Sequence, residues 1–175
     1  MNVSEATFRV ATEQSSFLSL LEIHQRLDEL FLSHQKALLA LDLELALATL
    51  KEFERELRAH MRVEEDLLLP VYARAGRIQG GPVEFYTGEH KRMLEFLARF
   101  SEQLQALRLT YADLKRGIIG LFDQEAVFKQ LMQHHDMRER NLLYPTLDKV
   151  TSETERRELL AQCHKMATAE SQRCD

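Results

Sequence analysis

A histidine followed four residues later by a glutamate occurs twice in this chain, and both times a proline follows six residues after the glutamate. The two copies, displaced by 75 positions, are His60, Glu64, Pro70 and His135, Glu139, Pro145. Residues four apart lie on one face of an α-helix, one turn from each other. The repeat therefore predicts two helices that each present an imidazole and a carboxylate on the same side.

Apolar residues recur at helical spacing along four long segments. These segments run from about Phe17 to Leu41, from 43 to 73, from Pro82 onward and from near Thr110 to about 148. Glycine and proline cluster between the second and third, and a further amphipathic helix is expected after Ser152, where Glu155 completes a capping box. Four long helices with short connections predict an all-α fold, an antiparallel up-down four-helix bundle with a short extra C-terminal helix.

The length of 175 residues is typical of one domain with a single core. We expect residues 1–16 to form a lead-in, 17–148 the bundle, and 149–175 the C-terminal helix and tail. The terminal helix either caps the bundle or pairs with a second copy as a homodimer.

Two further histidines, His24 and His90, lie within the apolar stripes of the first and third helices. If the first turn lies near residue 42, His24 and His60 are each 18 positions from it, and His60 and His90 are each 15 from residue 75. Similar arithmetic pairs His90 with His135. A lone histidine on an apolar stripe is more often a hydrogen-bonded core residue, but this agreement predicts one layer of four histidines, with the glutamates one turn beyond.

That layer predicts metal binding. Two buried carboxylates would each cost several kcal/mol unless neutralised, and cations bound by the imidazoles would neutralise them. Iron, manganese and zinc are all compatible with these ligands. Two glutamates that can bridge and two histidines per metal favour a dinuclear site, and we predict two iron ions.

Other polar residues near the layer have weaker cases. Tyr86 precedes His90 by one turn and is a candidate contact to the metal or its ligand, although a core tyrosine with a local hydrogen bond is the simpler interpretation. Glu65 and Glu89 are expected in solvent or orienting a histidine. His34, His134 and His164 are not expected to bind metal.

Charge and composition argue against several partners and locations. The net charge of −5 comes without a basic stripe, so neither nucleic acid nor an anionic membrane surface is expected as a partner. The longest apolar stretches, such as 37–41, are far shorter than the roughly 20 residues that span a bilayer. No signal peptide is expected, and two cysteines without a CxxC motif predict a reducing cytoplasm.

The chain resembles the hemerythrin-like family, the HHE cation-binding domains, between about residues 17 and 148. The residues that carry the resemblance are His24, His60, Glu64, His90, His135 and Glu139. It implies a helical bundle around a non-haem di-iron centre, with an oxo or hydroxo bridge.

One departure from the oxygen-carrying members bears on function. They have a further histidine one turn after the third-helix ligand, where this chain has Leu94. Two histidines per iron would leave a position open on both metals. The resemblance then implies a protein that binds or senses a small gas or oxidant (O2, NO or peroxide) or handles iron; the alternative is a di-iron oxidoreductase that reduces peroxide or nitric oxide. Whether the chain is an enzyme stays open.

Overall fold

The computed structural model describes residues 15–109 and 113–172, and these residues contain helices but no strand. The α-helices in this part of the chain are α1 (Glu22–Leu39), α2 (Leu43–Val63), α3 (Leu69–Tyr72), α4 (Val83–Leu109), α5 (Leu114–Arg138), α6 (Tyr144–Val150) and α7 (Glu153–Gln172). Of the predicted lead-in only Ser15 and Ser16 are described, and Thr110 also lies outside the described residues.

The helices form the predicted bundle, with α1 packed along α2 and α4 along α5. Helix α2 also contacts α4 and the additional helix α7. The first turn lies where it was expected: Leu41 adopts a left-handed conformation with φ of 61°, and Asp42 caps α2 by accepting a hydrogen bond from the Leu45 amide. At α7 the hydroxyl of Ser152 accepts from the Glu155 amide, as its capping box predicts.

Two apolar clusters fill the interior, one on each side of the histidine layer. The first contains Phe31, Phe53, Phe100 and Phe128 and fills the half of the bundle that ends at the first turn. The second surrounds Tyr72, Tyr144 and Leu147 and includes Cys163 from α7. The polar layer therefore lies between two apolar clusters, and α7 covers the cluster that contains Tyr72 and Tyr144.

A π-helical turn begins at the glutamate of each His–Glu pair. The turns are Glu64–Leu68 and Glu139–Leu143, and each leads into a short α-helix whose first turn contains the repeated proline, Pro70 or Pro145. Proline lacks an amide hydrogen and clashes with the carbonyl four residues earlier in a regular α-helix. The wider π turn offers a way around that clash, so the chain stays helical past the proline. Such turns frequently mark functional sites.

Candidate metal centre

The structure brings the six predicted ligands together in one buried layer. The Nε2 atoms of His24 and His60 lie 3.2 Å apart, and those of His90 and His135 lie 3.1 Å apart. The side chains of Glu64 and Glu139 are wholly buried beside these two pairs. Four helices therefore direct two histidine pairs and two carboxylates at one small volume.

Glu139 lies between the two histidine pairs. Its Oε2 is 2.8 Å from His24 Nε2, and its Oε1 is 2.5 Å from His135 Nε2. The ligand atoms fall into two groups within metal-binding reach, and Glu139 belongs to both of them. The groups are Glu64, His90, His135, Glu139 and His24, His60, Glu139. Glu139 is therefore within reach of both groups of candidate ligands.

The distances are compatible with metal coordination as well as with hydrogen bonding. Two nitrogens bound about 2.1 Å from one ion at right angles are about 3.0 Å apart, close to the separation in both histidine pairs. Glu64 Oε2 lies 3.3 Å from His90 Nε2. No hydrogen bond of good geometry from the described residues reaches this oxygen or Glu139 Oε1, although an imidazole nitrogen lies close to each. Buried carboxylate oxygens are rarely left so, and a cation would satisfy both.

The electrostatics of the layer also favour positive charge. Burial alone would raise the pKa of Glu139 and lower that of His135, but the ion pair between them outweighs burial and shifts both pKa values the other way. Burial and the charge of Glu139 act to raise the pKa of Glu64, yet the neighbouring histidines hold it below its usual value. The carboxylates thus stay ionised and draw cations, whether protons on imidazole or metal ions.

Three carboxylates lie within hydrogen-bonding distance of the outer nitrogens, the Nδ1 atoms, of three of the four histidines. Glu65 Oε1 lies 2.7 Å from His90 Nδ1, and Glu89 Oε2 lies 2.8 Å from His135 Nδ1. Asp136 Oδ1 lies 2.5 Å from His24 Nδ1. Such partners fix the ring orientation and raise the basicity of the inner nitrogen. The orienting role considered for Glu65 and Glu89 fits these contacts. Asp136 was not considered, although it adjoins the candidate ligand His135 in the sequence just as Glu65 adjoins Glu64 and Glu89 adjoins His90.

A tyrosine hydroxyl contacts both carboxylates, and it belongs to Tyr144, which sequence analysis did not select. This hydroxyl lies 3.1 Å from Glu64 Oε1 and 3.4 Å from Glu139 Oε2. Burial and then the two carboxylate charges hold the pKa of Tyr144 well above its usual value, so the phenol keeps its proton. The internal repeat could have indicated this residue, because Tyr144 occupies the position that Leu69 has in the first copy.

Tyr86 lies beside the layer but turns its hydroxyl elsewhere. Its ring packs edge-on against His135 with 6.1 Å between centroids. The hydroxyl lies near Tyr72 and Gly81. A Cβ atom at position 81 would lie 3.3 Å from this hydroxyl. Burial and the neighbouring Tyr72 raise the pKa of Tyr86. Its predicted contact with a metal or ligand stays a prediction.

The remaining histidines lie apart from the layer. His34 is buried in the first apolar cluster, where it pairs with Glu125. His134 is exposed, and His164 Nδ1 bonds to the Leu160 carbonyl in α7.

A cavity of about 350 Å³ opens between α1 and α5 and reaches the layer. Its wall includes His24, His60 and His135, while Leu27, Phe31 and Met93 form an apolar part. Asp28, Lys129 and Asp136 line it as well. A small molecule can therefore approach the ligand nitrogens from this side of the bundle.

Comparisons with known proteins agree with this geometry. The family model described as the hemerythrin HHE cation binding domain matches residues 19–147, which include all six predicted ligands. The comparisons with curated proteins and with solved structures gave no match. Among the described helices, none is long and apolar enough to cross a membrane.

Proposed function

Because this chain belongs to the hemerythrin HHE cation-binding family, we propose that its histidine–glutamate layer holds two iron ions and that the pair binds or senses a small gas or oxidant. The observation that carries the proposal is Glu139, whose two oxygens face two different histidine pairs. A single-ion site needs no such shared carboxylate. Zinc and manganese are the alternative metals.

The ligands divide between the two ions. His24 and His60 would hold one ion, and His90 and His135 the other, with Glu139 shared between them. Glu64 Oε2 lies nearest to the second pair, 3.3 Å from His90 Nε2, and it is 3.9 Å from His60 Nε2. We therefore assign Glu64 mainly to the second ion.

The chain supplies what a small ligand needs to bind there. Bound iron supplies one-electron redox chemistry and coordination positions that the protein leaves open. Leu94 occupies the position of a further histidine, so each ion would have two imidazoles only. Most of the layer is buried, and the cavity between α1 and α5 gives a molecule as small as O2, NO or peroxide a route to it.

The second candidate function is an oxidoreductase that reduces peroxide or nitric oxide. The hydroxyl of Tyr144 favours it, because this phenol contacts both carboxylates and keeps a proton at the centre. Tyr86 stays a second candidate for contact with a bound ligand. The enzyme proposal gains if Tyr144→Phe or Tyr86→Phe abolishes turnover of peroxide or NO while the iron content is unchanged. It fails if the iron-loaded protein turns over neither compound.

The test of the metal proposal is iron analysis with an optical spectrum of the protein as purified and after anaerobic reconstitution. We expect about two irons per chain with charge-transfer absorption, as for non-haem iron held by nitrogen and oxygen ligands. His135→Ala should lose both the iron and the absorption. The matched control is His134→Ala, which replaces the adjacent exposed histidine and should keep both. A folded protein that takes up no iron, or equal loss in the two variants, would overturn the proposal.

We also propose that the protein is located in the cytoplasm and that it forms a homodimer through α7. The cysteine content supports the first, and Cys163 is a free, buried thiol. Sedimentation analysis tests the second, since a monomer at all accessible concentrations would exclude it.

A further inference from the structure

A second cavity, of about 340 Å³, lies between α7 and the rest of the protein. Residues of α1 and the turn before it, of α2, of the π turn after α2 and of the start of α6 form its other walls. Of the residues that line the first cavity, it shares only His60. The two cavities therefore approach the histidine–glutamate layer by separate routes.

The walls of this cavity are mostly apolar, and its deepest part is the layer itself. The side chains that form the walls are Leu20, Ile23, Ala59, Val63, Leu68, Cys163 and Ala167. Glu64 and Tyr144, both buried, also line it. Oε2 of Glu64 is one of the buried oxygens without a hydrogen bond of good geometry from the described residues. An occupant would thus have apolar surroundings and one polar end of the cavity to face.

The two buried carboxylates at the cavity have basic neighbours. Oε1 of Glu56 lies 3.5 Å from Nη2 of Arg26 and 3.4 Å from Nη2 of Arg55, and Glu64 lies beside His90. Glu22 and Arg26 are exposed at the edge of the cavity. An uncharged, mostly apolar molecule fits the walls.

The volume is sufficient for such a molecule. Pockets for small ligands begin at about 300 Å³. We infer that the cavity beneath α7 binds a small uncharged apolar molecule, either a dissolved gas or a short hydrocarbon or aromatic compound. Binding rests on the cavity alone; that the molecule then reaches bound iron rests on the function proposed above.

Helix α7 makes this site a feature of the present chain. The family match ends at residue 147, and α7 begins at Glu153. Cys163 and Ala167 both come from α7, so the cavity wall on this side is built outside the matched domain. The walls therefore combine residues of the matched domain, including His60 and Glu64, with residues of α7 that lie outside it.

The experiment is crystallography of the full chain under xenon pressure, repeated with crystals soaked in toluene. Anomalous scattering locates xenon directly, and the measurement does not depend on iron. Ala167→Phe should fill the cavity from α7 and abolish the xenon peak there. The matched control is Ala161→Phe, at an exposed alanine of the same helix, and it should keep the peak. Ala59→Leu fills the cavity from α2 in case phenylalanine at 167 displaces α7.

The outcomes separate the two ligand sources and the two proposals. Xenon and toluene together in the cavity identify a site for an organic molecule, and xenon alone identifies a site for a dissolved gas. No xenon beneath α7, xenon only between α1 and α5, or a peak that survives both filling variants would overturn the inference. If the protein binds no iron but xenon still occupies the cavity, the proposed function fails and this inference stands.

Discussion

His34 and Glu125 form a wholly buried pair far from the metal layer, and their contacts determine how many protons they share. His34 Nδ1 lies 2.8 Å from the Ala46 carbonyl, which can only accept, so Nδ1 carries a proton. His34 Nε2 lies 2.9 Å from Glu125 Oε1, and that contact needs one further proton on either partner. Gln35 Nε2 donates to the other carboxylate oxygen at 2.8 Å. Removing either side chain would therefore leave the other one buried without this hydrogen bond.

This dependence predicts a strong difference between single and double substitutions. Removing one partner of a buried pair costs about 3–5 kcal/mol, while replacing both with apolar residues is often neutral or stabilising. We expect His34→Leu and Glu125→Leu each to lower the free energy of unfolding by about 3–5 kcal/mol. The double variant should lose less than about 1 kcal/mol, because the Ala46 carbonyl still accepts from the Thr49 hydroxyl. At about 2–4 °C per kcal/mol, each single variant should melt roughly 6–20 °C lower.

Urea unfolding of the four proteins, at matched iron content, measures the coupling directly. Asp123→Leu is the control, since this exposed residue of α5 should change stability by about 0.5 kcal/mol at most. The iron content should not change, because ten helical residues separate His34 from His24 by about 15 Å. A double variant whose loss equals the sum of the single losses, within about 0.5 kcal/mol, would refute the reasoning.

Three further predictions concern the surroundings of the metal centre. Tyr144→Phe removes the hydroxyl that contacts both carboxylates and should speed iron release to a chelator about 10–100-fold. A larger effect from Tyr86→Phe would contradict the placement of the Tyr144 hydroxyl at the carboxylates. Glu65→Ala removes the carboxylate beside Nδ1 of His90 and should speed iron release about tenfold. Asp66→Ala, at the adjacent exposed residue, is the control and should not change the rate. Equal rates in the two variants would show that the contact between Glu65 and His90 is unimportant. Burial raises the pKa of Cys163 to about 11, so at pH 8 its thiolate fraction is about 200 times lower than that of a free cysteine. With the other cysteine replaced by serine, its alkylation rate should still rise about tenfold per pH unit between pH 8 and 10, and a plateau near pH 8.5 would show an ordinary thiol.

Sequence spacing was sufficient to predict the bundle and to place the four candidate histidines at one level, with the two glutamates one turn beyond. The reason is that helix geometry is regular: a fixed rise per residue converts distance from a turn into height. His24 and His60 are equally far from the turn at residue 42, and their Nε2 atoms lie 3.2 Å apart. Such arithmetic succeeds wherever the turns are short and their positions are marked by glycine, proline or a capping residue.

The contacts that hold those ligands depend on pairs distant in sequence, and spacing on one helix cannot show them. Asp136 adjoins His135 in the sequence, but the histidine that it contacts is His24 on α1. Glu125 was passed over because a single glutamate on a helix is usually solvated, and only the packing of α1 against α5 shows that it meets His34. The π turns were also not expected, because proline normally indicates the end of a helix.

The internal repeat supplies two similar halves, but the structure makes the two glutamates unequal. Tyr144 replaces Leu69 at the position five residues after the glutamate, so a hydroxyl exists in one half only. It lies closer to Glu64 than to Glu139, at 3.1 Å against 3.4 Å, and occupies one oxygen of Glu64. Glu139 thus keeps both oxygens directed at the histidine pairs, whereas Glu64 has one so directed. A pseudo-symmetric scaffold therefore encloses an asymmetric site, and the two ions that we propose would have different surroundings.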